Sequence, residues 1–470
     1  MGCIDKAGQE LYTFSKDFGL EALSPGRTAE NIKAALKASG KGRQRRSPLQ
    51  PQLMIWLVLC LPIFRSESIP AVLGRLLSGL RGRRKTLSLK PVGDDAIAHA
   101  RGRLGIAPLR HFYRAQAAEI RPAASFHGLR VWSLDGTSLS MPDTKENRQI
   151  FGLRNTSRGR CAYPELKMVA LQDVESRQFK DVRWNLRDAS ERALGASLLT
   201  HLEEGDLALV DRGFYAGWFF LAVRARRSHF LARVPAYAKL RRLRGTSRHR
   251  GDYLAYVSVR VPLPKGQKIQ GVRGHPFTHQ IVRLLVRVIE YRLPGFQRVR
   301  LTTSLLDPEI TAREWVLEYH RRWDIELALD ELKTHQSSTA QGALKTIFRS
   351  HNPRNVMQEA YALAASYNLL RQTIALAAHG HSLDPDKISF IGSYRAIMHM
   401  LPRMQGALAQ DLPSLYEQLL SDICEALIDR PRRPRRYPRV VKQKMSNFKL
   451  KRPKHRQILI DFRDEIRIGA

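Results

Sequence analysis

Apolar residues recur at helical spacing through the first 125 positions. AENIKAALKAS and IPAVLGRLLSGL carry them three and four apart, as on one face of a helix. LMIWLVLCLPIF, from Leu53 to Phe64, is apolar throughout and reads as a helix buried inside a helical domain. It contains Pro62 and stops at Arg65, too soon to span a bilayer. The texture changes near residue 128. GLRVWSLDGTSLSM is a β-type run that reaches an acid, Asp135, and opens onto a glycine. YPELKMVALQDV and QFKDVRWNL follow as strand candidates, and ERALGASLLTHL as a helix. DLALVDRGFYAGWFFLAV then predicts a short buried strand ending in Asp211, a glycine, and an apolar helix.

From about residue 230 to 300 the chain is rich in β-branched residues and arginine, as in YLAYVSVRVPLP and HQIVRLLVRVIEYRL. This predicts a β-rich insertion. VRLTTSLLD returns as a strand, and residues 351 to 429 are mostly helical in pattern. Strands alternating with helices predict a mixed α/β core. The expected division is a helical N-terminal domain over 1–125, a first part of the α/β core over 126–229, the insertion over 230–298, a second part of the core over 299–375, and a helical region with a basic tail over 376–470.

The second part of the core holds YHRRWDIELALDELK, Tyr319 to Lys333. On a regular helix, at about 100° per residue, Tyr319, Arg322, Glu326 and Lys333 fall within an arc of about 60°. Ile325, Leu329 and Leu332 form a neighbouring apolar stripe that can bury against a domain. Thr311 with Glu314 three residues later is a capping-box pattern for its start. Taken alone, such a face is most simply a solvated surface with a Glu–Lys pair.

Charge changes that weighting. Lys plus Arg number 79 against 43 Asp plus Glu, a formal charge of +36. Such an excess points to a polyanionic partner, most simply nucleic acid, with a membrane surface as the rival. Basic clusters stand at Lys41 to Arg46 and at Arg81 to Lys85, and the tail from Arg430 to Arg456 has 13 Lys and Arg and no acid. The four cysteines form no C-x-x-C pair and no cluster with histidine, which argues against a zinc site and a disulfide framework. MGCIDKAGQE lacks an apolar signal segment, so the expected location is the cytoplasm, without membrane attachment.

Asp135 and Asp211 both follow apolar strands, and Glu326 projects from a helix. Neighbouring strands can bring two such aspartates together, and a helix packed across the sheet can add the glutamate. Three converging carboxylates need cations, and oxygen-only ligands suit Mg²⁺ or Mn²⁺. Two such ions about 3.5–4 Å apart can activate an attacking water or 3′-hydroxyl and stabilise the leaving oxygen in phosphodiester chemistry. Arg322 and Lys333 would then grip phosphates beside the scissile bond, with Tyr319 bonding another. An aspartate at a strand end is more often a turn former or helix cap. Asp143, Asp173, Asp206 and Asp330 are alternatives of the same kind, and spacing alone does not choose among them. The chain has no Walker A loop, no G-x-G-x-x-G opening a helix and no G-x-S-x-G elbow. HGH at His379 to His381 lacks the H-E-x-x-H context of a metal site.

Y-x-x-R-x-x-x-E-x-x-x-x-x-x-K, here Tyr319, Arg322, Glu326 and Lys333, resembles the signature of the DDE transposases of insertion-sequence family four. WSLDGTSLSMPDT, LALVDRGFYA and the N-terminal RRSPLQPQLMIWLVLCLPIFRSESIPAVLGRL are also similar to that family, and the resemblance spans roughly 20 to 455. It implies a ribonuclease-H-like mixed sheet interrupted by the β-rich insertion, with Asp135, Asp211 and Glu326 as ligands of two Mg²⁺ ions, which Mn²⁺ may replace. It implies cut-and-paste movement of a bacterial insertion element flanked by inverted repeats, by a homodimer on DNA. Members can release the element through hairpin ends, with an aromatic residue holding a flipped base; Trp184 and Trp323 are the candidates here. The rival readings are a nuclease on the same fold, which cuts without joining, and a non-catalytic DNA-binding protein or inhibitor, indifferent to Mg²⁺ and to loss of Glu326.

Overall fold

A computed structural model describes residues 27–42, 49–83, 92–156, 159–185, 190–247, 249–262, 279–293, 297–336, 347–407, 410–428 and 462–469. The N-terminal stretch MGCIDKAGQE, residues 43–46 and 84–85 of the two basic clusters, and the tail Arg430–Arg456 lie outside the described residues. The chain opens with helices α1 (Arg27–Ala38), α2 (Pro51–Cys60), α3 (Ile69–Arg83), α4 (Asp94–Leu104) and α5 (Ala107–Ala118). Strand β1 (Leu129–Ser140) precedes helix α6 (Lys145–Phe151) and the antiparallel hairpin of β2 (Glu165–Asp173) and β3 (Phe179–Asn185). Helix α7 (Glu191–Leu198), strand β4 (Asp206–Val210) and helix α8 (Gly217–Arg224) follow. Next come β5 (His229–Arg233), the short β6 (Arg241–Arg242), the long β7 (Asp252–Pro262) and β8 (His279–Arg292), and β9 (Val299–Thr303). Helices α9 (Ala312–Arg321), α10 (Trp323–Asp330), α11 (Pro353–Gly380), α12 (Phe390–Gly406) and α13 (Leu412–Glu425) complete the main elements. The expected order of strand, hairpin, helix, strand, helix forms with two differences: β1 runs on past Asp135 to Ser140, and α6 stands between it and the hairpin.

Two compact units emerge. One holds residues 1–122, 136–189 and 325–429 and is mainly helical. Its core surrounds α2, in which every residue from Leu53 to Cys60 is at most 2 % exposed. A helix apolar on all sides has no solvent face to offer, so it needs neighbours all round. α1, α3, α4 and the long α11 supply them. Two ionic networks are sealed into this interior. Arg101 bonds Glu359, Gln358 and the Asn355 carbonyl, and Arg371 bonds Glu331 and the Tyr367 hydroxyl. Burial of such charges is tolerated because each has several partners.

The other unit holds residues 123–135, 190–324 and 430–470 and is built on a mixed sheet. Its strand order is β1-β4-β5-β9-β8-β7-β6. β1, β4 and β5 run parallel, and the later strands pair antiparallel. β4 is buried along its whole length, as a central parallel strand covered on both faces must be. Helix α8 packs on β5 and β7. It approaches β7 so closely that a Cβ on Gly217 would stand 2.5 Å from Val259 Cγ2. Gly195 of α7 is similarly constrained, since its Cβ would lie 2.6 Å from the Phe214 ring.

The segment from Tyr319 to Lys333 is not one regular helix. The capping box forms as expected, with Thr311 Oγ1 accepting from Glu314 N at 3.2 Å and Thr311 N donating to Glu314 Oε2 at 2.7 Å. The helix then breaks at Arg322, whose N–H bonds the Tyr319 carbonyl three residues back. After α10 the chain widens into a π-helical turn over Glu331–His335, where Gln336 N bonds the Glu331 carbonyl five residues back. A tightened turn and a widened turn each shift the angular phase away from 100° per residue. The regular arc through all four signature residues therefore does not hold. The apolar stripe does: Ile325, Leu329 and Leu332 are buried in the helical unit's core.

Candidate active site

β1 and β4 lie side by side in parallel, with Leu134 opposite Val210. The next residue on β1 is Asp135, and the next after β4 is Asp211. Neighbouring strands stand about 4.8 Å apart, so the register brings the two acids together where the β1–β4 pairing ends, at the carboxyl end of β4. That end of a parallel sheet is where α/β proteins place their ligands.

The two carboxylates are held differently. Asp211 caps the short turn Arg212–Phe214, its Oδ1 accepting from Gly213 N at 2.7 Å and Phe214 N at 3.3 Å. Its Oδ2 takes no hydrogen bond among the described residues. Phe214 is buried under Gly195, and Arg192 donates to the Gly213 carbonyl, so α7 steadies the turn. Asp135 faces Arg322, whose Nη1 stands 3.5 Å from Oδ2. The Arg322 guanidinium also lies 4.9 Å over the Trp323 ring. Two adjacent acids, one of them with an oxygen free of hydrogen bonds among the described residues, suit a cation because the donors are hard oxygens. Among the described residues no group of three or more His, Cys, Asp or Glu side chains stands gathered as a metal cage.

Tyr319 and Arg322 are each 5 % exposed. Burial pushes the Tyr319 hydroxyl up to about 12. α9, which carries both, is fixed by Trp315, whose ring lies 5.0 Å from Phe126, and by Arg287 Nη1 donating to the carbonyls of Asp307 and Ile310. His320 sits beside Tyr291, with Nε2 3.4 Å from the hydroxyl, and burial lowers its pKa to about 4. Trp323 is 37 % exposed. Glu326 and Lys333 belong to the helical unit and are both half-buried; the Lys333 carbonyl accepts from Arg65 Nη1 at 3.0 Å. In the same unit Trp184 packs edge-on against Tyr361 at 5.9 Å.

The alternative acids have structural tasks. Asp206 is 1 % exposed and bonds Arg130 Nε and Glu203 N, both at 2.7 Å. Asp173 closes the β2–β3 turn through the Ser176 N–H and hydroxyl. Asp143 pairs with Arg148, and Asp330 accepts from Thr334. Arg322, expected to grip phosphate, also stands opposite Asp135, a pairing the sequence did not indicate. Its charge and its place three residues after Tyr319 were visible; a partner 187 positions away in the chain was not.

Residues 127–369 match the family described as the transposase DDE domain, a span that includes Asp135, Asp211, Tyr319, Arg322, Glu326 and Lys333. The chain belongs to the DDE transposases, metal-dependent enzymes that transfer phosphoryl groups of DNA. Residues 19–114 match a second family, the N-terminal region of the insertion element 4 transposase. Two relatives come from Escherichia coli. The transposase InsG for insertion sequence element IS4 is 28 % identical over 88 % of this chain and 90 % of its own length. The putative transposase InsZ is 29 % identical over 45 % of this chain and 70 % of its own. Among solved structures, the piggyBac transposase synaptic complex with hairpin DNA overlaps 85 % of this chain and 84 % of that one. Its identity is 11 % and its TM-score 0.43, a likeness too slight to argue from.

Proposed function

We propose that Asp135, Asp211 and Glu326 are the catalytic acids of this transposase and hold two Mg²⁺ ions, with Mn²⁺ as a substitute. The supporting observation is the parallel register of Leu134 with Val210, which sets Asp135 and Asp211 side by side just past the last paired residues of β1 and β4. Glu326 joins them through its place in the Y-R-E-K signature. When bound, the ions supply Lewis acidity that activates the attacking oxygen and stabilises the leaving one.

The chain's own residues have separate tasks. Asp211 keeps its orientation through the Gly213 and Phe214 N–H groups and offers its other oxygen. Arg322 balances Asp135. Tyr319, Arg322 and Lys333 contact DNA phosphates near the cut, Tyr319 and Arg322 after leaving their buried positions. Water first attacks phosphorus at the element's end and frees a 3′-hydroxyl. That hydroxyl then attacks a target phosphodiester, and the target's own 3′-oxygen departs.

The fold around this chemistry is read as a ribonuclease-H-like core over 126–229 and 299–375, interrupted by the insertion over 230–298. It is flanked by a DNA-binding domain over 1–125 and a helical, basic region over 376–470. The protein acts as a homodimer on the terminal inverted repeats of a bacterial element, moving it by cut and paste in the cytoplasm at the nucleoid. No helix among the described residues is long and apolar enough to cross a membrane.

The test is cleavage of DNA bearing the sequences that flank the coding region, with Mg²⁺ and with EDTA. Wild type should nick at a defined border only with metal, and Glu326→Gln should bind the same DNA without cutting. Equal loss of binding and cleavage in Glu326→Gln would mean a structural role for that glutamate. Cutting by wild type in EDTA would remove the metal from the mechanism.

A further inference from the structure

The β7–β8 ribbon has two faces with different fates. Register pairs Ser258 with Arg283, Arg260 with Ile281 and Tyr256 with Leu285, so these side chains share one face. The alternate residues Val257 and Val259 point the other way and are buried, Val259 against Gly217 of α8. The first face is itself buried at the base of the ribbon, where Asp252 and Arg287 pair at 2 % exposure each. Towards the far end it opens. Ser258, Arg260, Arg283 and His279 are exposed, and Ile281 is 67 % exposed. β6 extends the same face, because Arg241 pairs with Tyr256 and is exposed.

Arg241, Arg260 and Arg283 thus stand on three adjacent strands, on one side of the sheet. None of the three side chains has a hydrogen bond or ion pair among the described residues, and the described part of this open face carries no acid. Most other arginines of this unit's sheet are engaged: Arg130 with Asp206, Arg287 with Asp252, Arg298 with Glu290, Arg300 with carbonyls of the 235–238 segment. Three neighbouring cations without a counter-charge raise one another's energy, and an arriving polyanion relieves this.

We propose that this open face of the ribbon, through Arg241, Arg260 and Arg283, is a docking surface for the phosphate backbone of double-stranded DNA. It rests on the transposase reading only in taking DNA as the polyanion. Arg260 and Arg283 sit on diagonal positions about 7–8 Å apart, a separation that two flexible side chains can bridge to different phosphates of one strand. Guanidinium groups suit the bidentate geometry of phosphate. Contacts to phosphate carry no sequence information, so a grip made through the backbone is independent of sequence.

The test uses the full-length protein and two duplexes of equal length, one carrying the element's end and one unrelated. Binding is measured from 50 to 200 mM salt for wild type, for the triple variant Arg241→Gln, Arg260→Gln, Arg283→Gln, and for the same three positions changed to Lys. The Gln triple should reduce the slope of log affinity against log salt by about 2–3, at about 0.9 per lost phosphate contact. Over that fourfold salt range it should then lose about 40-fold less affinity than wild type, equally on both duplexes. The Lys triple should restore most of the slope. An unchanged slope, or a loss confined to the end-bearing duplex, would overturn the proposal. The catalytic reading is judged separately, by metal-dependent cutting at saturating protein and 50 mM salt. Wild type that cuts with an unchanged Gln-triple slope sinks only the ribbon; a lost slope with no cutting by wild type sinks only the catalysis.

Discussion

The two ends of the β1–β4 strand pair are chemically opposite. At the amino end Asp206 is buried and saturated, bonded to Arg130 and to the Glu203 N–H. At the carboxyl end, five residues along β4, Asp211 keeps one oxygen without a hydrogen bond, beside Asp135 and its arginine. The first end closes the sheet. The second leaves a carboxylate oxygen without a hydrogen bond among the described residues. The same side chain on the same strand is structural or chemical according to how completely its neighbours satisfy it.

The largest expected effect breaks that contrast at the carboxyl end. Asp135→Asn and Asp211→Asn remove ligand charge, worth several kcal/mol of transition-state stabilisation, so cleavage should fall on the order of 10³-fold or more. The melting temperature should stay near that of wild type. Unaltered turnover by either variant would place that residue outside the reaction.

His320 tests whether α9 is held as tightly as its burial suggests. Its folded pKa is lowered from 6.5 to about 4, so the unfolded chain binds the extra proton between those values. Its contribution to stability is complete above pH 6.5 and is lost as pH falls towards 4, by about 3 kcal/mol. Denaturant titrations of wild type and His320→Gln should converge on acidification, with the wild type losing more. Parallel pH profiles would show that His320 is protonated freely in the folded state.

At the amino end, Asp206→Ala should destabilise by about 2–3 kcal/mol through lost charged hydrogen bonds, with the activity of the folded fraction retained. Burial raises the Asp206 pKa despite those partners, so protonation is easier folded than unfolded. Its ionisation therefore lowers stability as pH rises from the ordinary carboxylate value through the raised one. Smallest is Gly195→Ala, which pushes a methyl into Phe214 and should cost about 1–3 kcal/mol. Because Phe214 N–H holds Asp211, cleavage should fall too. A variant with full stability and activity would mean the Phe214 ring gives way freely.

Much of this was legible from local pattern. The strands that carry Asp135 and precede Asp211, the buried α2 helix and the Thr311–Glu314 cap all follow from short-range periodicity and capping chemistry. The choice among aspartates was not. Asp206 and Asp211 look alike in sequence, and what separates them is Arg130, a residue 76 positions earlier brought alongside by parallel pairing. The break at Arg322 was hidden for the same reason. Neither the tightened turn nor the ion pair with Asp135 leaves a mark in the residues around it. Register on the ribbon was hidden as well: VSVRV shows the alternation, but only pairing with β8 puts Arg260, Arg283 and Arg241 together.

The most direct measurement sets the two ends of β4 against each other in one cleavage assay on element-end DNA with Mg²⁺. Asp211→Asn should bind DNA and leave it uncut, while Asp206→Asn, assayed below its melting temperature, should cut at the wild-type border. Cutting by Asp211→Asn, or failure of folded Asp206→Asn to cut, would contradict the assignment of catalysis to the carboxyl end of the β1–β4 pairing.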